Sequence, residues 1–285
     1  MNKIICFGEI LWDFLPKGKF IGGAPFNVAF HLNKFGNEPI LVSSVGKDKL
    51  GKKTVEFLKK NEFQTKFVSQ NEKLETGKVV VEFTKLGEPI YKILENSAWD
   101  SISVPNELLN LAKNSQALVF GSLALREGKN LVELQKLLRL GNLTKFFDVN
   151  LRFPFVNKKL ILELMRKVDF LKVNEEELYY LSNSKGRNEA IEILSEKTKA
   201  TICVTLGEKG AILVSGRNIF EVKSPKVKVK DIIGAGDAFW ASFVNSVLRN
   251  ENDFSEILTK ACKLGSLVVA EEGATPNLNQ NLERY

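Results

Sequence analysis

Along the chain, short apolar runs bounded by Gly, Asn or Asp alternate with stretches whose apolar residues recur at helical spacing. The runs Ile4–Phe7, Ile40–Val45, Ala117–Phe120, Lys145–Val149, Phe170–Val173, Thr201–Thr205 and Ala211–Val214 read as strands with helices between them. This alternation predicts an α/β fold, a mostly parallel sheet flanked by helices. Ligands of such sheets bind beyond the carboxyl ends of the strands. Polar residues stand at those positions: Asp148, Asn150 and Arg152, then Asn174 and Glu177, then Gly207 to Gly210. One segment breaks the rhythm. From Thr76 to Glu95 the period is two, with Val79, Val81 and Phe83 on one face and Val80, Glu82 and Thr84 on the other. A turn at Gly87-Glu88-Pro89 and the run Ile90–Leu94 complete a hairpin. A small β-sheet lid, formed by about 12–22 and 66–96 within a single domain spanning 1–285, would cover a substrate and exclude water. A structural sheet extension, or an edge pairing two copies into a homodimer through the lid, fits the same pattern.

With 285 residues, 44% of them hydrophobic, the chain can bury a substantial core. Its net charge of +7 is spread out rather than gathered in one block. The densest basic run, Lys226-Val227-Lys228-Val229-Lys230, predicts a half-buried strand with a solvated face rather than a nucleic-acid patch. Cys6, Cys203 and Cys262 lie far apart among apolar residues, so buried thiols are expected, not disulfides or a zinc site. His31 has no second histidine with which to share a metal. The chain opens directly on a strand-like run and contains no membrane-length apolar segment, which places it in the cytoplasm.

Chemistry concentrates in Asp231-Ile232-Ile233-Gly234-Ala235-Gly236-Asp237, which opens into the apolar stretch Ala238–Leu248. Gly234 and Gly236 leave the backbone bare, so successive N–H groups can point at one oxyanion, and a helix N-terminus adds its partial positive charge. A carboxylate beside a phosphate needs a reason. Asp237 has one if it takes the proton of a hydroxyl attacking that phosphate; otherwise it is a first-turn acid favoured by the helix dipole. A dinucleotide fingerprint fails at Phe239, where glycine is required. The near P-loop Gly46–Lys52 has Lys53 where a magnesium-binding hydroxyl belongs, so it reads as a strand-to-helix turn.

Three further clusters accompany it. Gly22-Gly23 enters a helix that carries Asn27, just after Asp13; a carboxylate and an amide suit neighbouring sugar hydroxyls, although Pro25 also marks a plain helix start. Asn174 and Glu177 either cap a helix or hold the water shell of a magnesium ion. Thr205, Gly207 and Gly210 form a turn that serves as a nucleotide floor or as a simple hairpin.

In this order and spacing the motifs resemble the ribokinase-like, PfkB-type carbohydrate kinases nearly end to end, including the tail Gly273-Ala274-Thr275-Pro276. The resemblance implies that Asp237 is the base, that the amides of Gly234, Ala235 and Gly236 form the anion hole, and that ATP with Mg2+ is the donor. It implies K+ beside Asp231. Ile232 and Ile233 depart from the family's usual threonines, which backbone anion-hole chemistry tolerates. Gly22–Ala29, Asp148–Arg152, Gly8–Asp13 and Ala98–Asp100 are most similar to bacterial fructokinases. Arg152 would then contact the sugar, and the reaction would carry the γ-phosphate to the 6-hydroxyl of D-fructose. 2-Keto-3-deoxygluconate kinases share many of these marks. A sugar or nucleotide sensor that kept the fold without the chemistry is the reading from another class.

Overall fold

The computed structural model describes residues 1–15, 18–83 and 89–278; the turn expected around Gly87 and Glu88 lies outside them. In chain order the strands are β1 (Lys3–Phe7), β2 (Leu11–Leu15), β3 (Gly18–Gly22), β4 (Glu38–Gly46), β5 (Val68–Asn71), β6 (Gly77–Phe83), β7 (Pro89–Ile93), β8 (Ala117–Gly121), β9 (Thr144–Asp148), β10 (Phe170–Asn174), β11 (Thr201–Thr205), β12 (Ala211–Ser215) and β13 (Asn218–Val222). The helices are α1 (Ala24–Lys34), α2 (Lys49–Lys60), α3 (Asn106–Ala112), α4 (Gly128–Leu138), α5 (Lys158–Leu164), α6 (Glu175–Ser182), α7 (Arg187–Lys197), α8 (Ala235–Leu248) and α9 (Phe254–Val269).

The larger sheet has nine strands in the order β13-β12-β11-β10-β9-β8-β1-β4-β5. Pairing is parallel from β5 through β11 and antiparallel at β11/β12 and β12/β13. Both faces are covered, which is why the central strands read as unbroken apolar runs. In β1, Ile4 and Cys6 pack toward α1, α8 and α9, while Ile5 and Phe7 pack toward α3 to α7. β8 divides in the same way, with Ala117 and Val119 on one side and Leu118 and Phe120 on the other. Helix boundaries follow local chemistry. Asp48 caps α2 by accepting from the Gly51 amide at 2.8 Å, and the same carboxylate takes the Thr76 amide at 2.8 Å. The near P-loop is thus a strand-to-helix turn. A Cβ at Gly46 would sit 2.5 Å from the Thr76 amide nitrogen, so glycine is needed there for close approach.

A four-stranded sheet, β3-β2-β6-β7, projects from this body, and its β6/β7 pair is the hairpin expected from the period-two segment. The expected boundary 66–96 is too generous. β5 pairs with β4 and forms the edge of the larger sheet, since only its first residue is buried and its remaining polar residues suit an edge. The small sheet is fastened by Arg126, whose Nε and Nη2 donate to Asp100 at 2.7 and 2.6 Å and whose Nη2 also donates to the Leu94 carbonyl at 2.8 Å. The guanidinium carbon lies 3.9 Å from the Trp99 ring centroid and 4.6 Å from that of Phe155.

The basic run is not a strand. Residues 223–230 are irregular, and Val229 is 61% exposed. Its alternating valines border the cleft described below instead of entering the core, so period two here carries no strand pairing. All three cysteines are buried free thiols, and His31 is a buried core residue. Among the described residues no helix is long and apolar enough to cross a membrane.

Candidate active site

A cleft of about 1620 Å³ opens at the carboxyl ends of the parallel strands. Asp13, Gly23, Asn27, Arg152, Asn174, Glu177, Thr205, Gly207, Gly210 and the run Gly234–Asp237 all line it. β1 and β11 are separated by β8, β9 and β10. At about 4.8 Å per strand, residues issuing from these two strands enter the cleft roughly 19 Å apart. A single small ligand fills roughly 300–1,000 Å³, so the space suits two ligands placed end to end.

Gly234 caps α8 with φ 79°, a left-handed conformation that glycine adopts without penalty. A side chain there would also strike the tail, since a Cβ would lie 2.4 Å from Ala274 Cα. The amides of Ala235, Gly236 and Asp237 belong to the first helical turn, where N–H groups have no intrahelical acceptor. Asp231 fixes the preceding turn by accepting from the Ile233 and Gly273 amides, each at 3.1 Å. His31 Nε2 donates to the Ala274 carbonyl at 3.0 Å and completes the clamp. Burial pushes the His31 pKa down to about 4, so this contact is that of a neutral ring.

Asp237 accepts from Asn27 Nδ2 at 2.7 Å, which joins the expected base directly to the glycine-pair helix. Asn27 Oδ1 is buried and has no partner among the described residues. Gly22 and Gly23 allow this convergence: Cβ atoms would lie 2.5 Å from Asp13 Oδ2 and 2.3 Å from the Glu9 carbonyl, respectively. Burial raises the Asp237 pKa to about 6; Lys172, Asn27 and Arg152 pull it down, while Asp148 pushes it up. Asp13 likewise rises to about 6 through burial, opposed by Arg152. Arg152 itself is exposed, with Nη1 donating to the Leu151 carbonyl at 3.1 Å.

Asn174 and Glu177 form a reciprocal cap on α6. Asn174 Oδ1 accepts from the Glu177 amide and Glu177 Oε2 from the Asn174 amide, both at 2.8 Å, and Glu177 Oε1 takes the Leu151 amide at 2.7 Å. The turn after β11 joins two antiparallel strands as a hairpin, and it borders the cleft. A Cβ at Gly210 would lie 1.9 Å from the Val222 carbonyl oxygen.

Two cleft residues were passed over in the sequence. Glu9 accepts from the Ala24 amide at 3.2 Å through Oε1, while Oε2 is buried and unpartnered among the described residues. Burial raises its pKa to about 7. Lys172 is buried in β10 and donates to Asp148 Oδ2 at 2.6 Å. Burial opposes its charge, but Asp148, Asp237 and Glu177 outweigh that effect and raise its pKa. A charge inside a run buried on both faces was the available signal.

Comparison with known proteins shows what the whole chain is similar to. The pfkB family carbohydrate kinase pattern matches residues 2–281. Fructokinase-2 of Solanum lycopersicum is 28% identical over 304 residues, covering 96% of this chain and 92% of that one. An uncharacterised sugar kinase of Pyrococcus horikoshii is 29% identical over 267 residues, or 87% of this chain and 83% of the relative. Its crystal structure in complex with ATP gives a TM-score of 0.79 at 27% identity, covering 96% of this chain and 94% of that one. Aminoimidazole riboside kinase of Salmonella enterica shares the fold, with a TM-score of 0.79 at 23% identity over 96% of this chain and 95% of that one.

Proposed function

Because the chain belongs to the pfkB family of carbohydrate kinases, we propose that it transfers the γ-phosphate of ATP to the primary hydroxyl of a sugar, D-fructose foremost, giving fructose 6-phosphate. The observation that carries this reading is the Asn27–Asp237 pair at the first turn of α8, in a cleft with room for both reactants. Glu9 lines the same cleft, which places a further polar side chain beside the pair. Asp13 and Arg152 line the same space and serve to orient the sugar.

Asp237 takes the hydroxyl proton as the oxygen–phosphorus bond forms, because a carboxylate is too weak a base to ionise a free alcohol beforehand. The amides of Gly234, Ala235 and Gly236 receive the charge on the transferred group, without reorganising during the step. The turn from Thr205 through Gly207 to Gly210 holds the nucleotide. Mg2+ keeps several waters and is held largely by substrate phosphates; Asn174 and Glu177, which line the cleft, would bind its water shell. Bound there, magnesium neutralises phosphate charge. A K+ beside Asp231 would share oxygens that already anchor the Ile233 and Gly273 amides. The small sheet acts as the lid that keeps water from the reacting phosphate.

ADP release measured across fructose, ribose, 2-keto-3-deoxygluconate and nucleosides should give the highest kcat/KM with fructose. A maximum with 2-keto-3-deoxygluconate would reassign the sugar, and no ADP with any of them would leave a sensor. The base also sets a pH dependence. Its raised pKa means that Asp237 carries a proton below about pH 6 and cannot accept another. The kcat/KM profile should therefore fall on the acid side with a midpoint near 6, and a flat profile down to pH 4.5, about 1.5 units below that midpoint, would exclude this base.

A further inference from the structure

The cleft is strongly acidic around the base. Glu9, Asp13, Glu177 and Asp237 line it, Asp148 stands behind, and ATP would bring more negative charge. Against these, Arg152 is exposed whereas Lys172 is buried, in the strand next to β9 and held by Asp148 at 2.6 Å. Its ammonium also reaches the anion hole. A Cβ built on Gly236 would lie 3.4 Å from Lys172 Nζ, so this cation packs against the bare face of a first-turn glycine.

Building on the kinase reading, we propose that Lys172 is a positioning residue for phosphoryl transfer: its fixed charge keeps Asp237 ionised beside the incoming phosphate and reinforces the anion hole from behind. The carboxylate of Asp148 holds the ammonium in place rather than taking part in proton transfer. An opposite charge within a few ångströms typically lowers a carboxyl pKa by about 1–3 units. The groups acting on Asp237 come from every surrounding element: Asn27 from α1, Glu9 after β1, Asp148 and Arg152 at and beyond the end of β9, and Lys172 from β10. Lys172 is the buried cation of that set.

Lys172→Met should move the acid midpoint of kcat/KM up by at least about one pH unit, a shift that by itself costs about twofold at pH 7 and about tenfold well below the parent midpoint. Lys172→Arg, which keeps the charge, should hold the midpoint within about 0.3 unit of the parent. A lysine that only ties two strands together would alter the melting temperature without moving that midpoint. If Lys172→Met does not fold, the comparison becomes Asp148→Asn against Asp148→Asn/Lys172→Met, which leaves no buried carboxylate unpaired; the double variant must show the higher midpoint. An unmoved midpoint in a folded lysine variant of an active parent overturns the role of Lys172. A parent chain that releases no ADP overturns the kinase reading instead.

Discussion

Asp237→Asn is expected to lose between about a hundredfold and ten-thousandfold in turnover while ATP and sugar still bind, because general-base assistance is worth that much. Asparagine has nearly the same shape, and its carbonyl oxygen can accept the Asn27 amide bond that now ends on Oδ2. The proposed anion hole consists of backbone amides and would survive the change. The stability of this variant has a definite sign. Burial raises the folded pKa of Asp237 to about 6, so its ionised form opposes folding at neutral pH, and a neutral amide removes that opposition. The variant should melt at or above the parent temperature. Turnover within about threefold of the parent would remove Asp237 from the chemistry, while loss of activity together with a lower melting temperature would mean that it is structural.

Arg126→Met is expected to cost roughly 3–5 kcal/mol of unfolding free energy, the usual consequence of leaving one member of a buried ion pair alone. Asp100 would be stranded at 6% exposure, and the guanidinium's contacts with the Trp99 and Phe155 rings and the Leu94 carbonyl would go with it. Adding Asp100→Asn should recover part of the loss, since the orphaned charge disappears while an amide oxygen can still accept the Ser97 amide. Denaturant titration of both variants tests this; a single variant within 1 kcal/mol of the parent (about a fivefold change in the folding constant) would show that the Arg126 contacts are dispensable.

A residue's role is legible in the sequence where its environment is set by its neighbours along the chain. The central strands β1 and β8 announce themselves because both faces must be apolar. The glycines at 23, 210 and 234 stand out in short local motifs, and each has a positive φ and a close contact that leaves no room for a side chain. Edge strands are harder. Val68-Ser69-Gln70-Asn71 has little to bury, so no local pattern separates β5 from the neighbouring hairpin segment, and Lys226–Lys230 shows alternation without any partner strand. Long-range pairing was the least accessible layer. That Asn27 would donate to Asp237, or that Lys172 would face Gly236, depends on three-dimensional placement which local pattern does not encode.

The Asn27–Asp237 contact spans 210 positions, and the His31–Ala274 contact spans 243. During synthesis, therefore, a nascent polypeptide can complete most of its strands and still hydrolyse or transfer nothing, because the last pieces made must dock against the first. Such wiring makes enzymatic output an all-or-nothing readout of complete assembly, and it predicts that early-truncated products are inert rather than wasteful consumers of ATP.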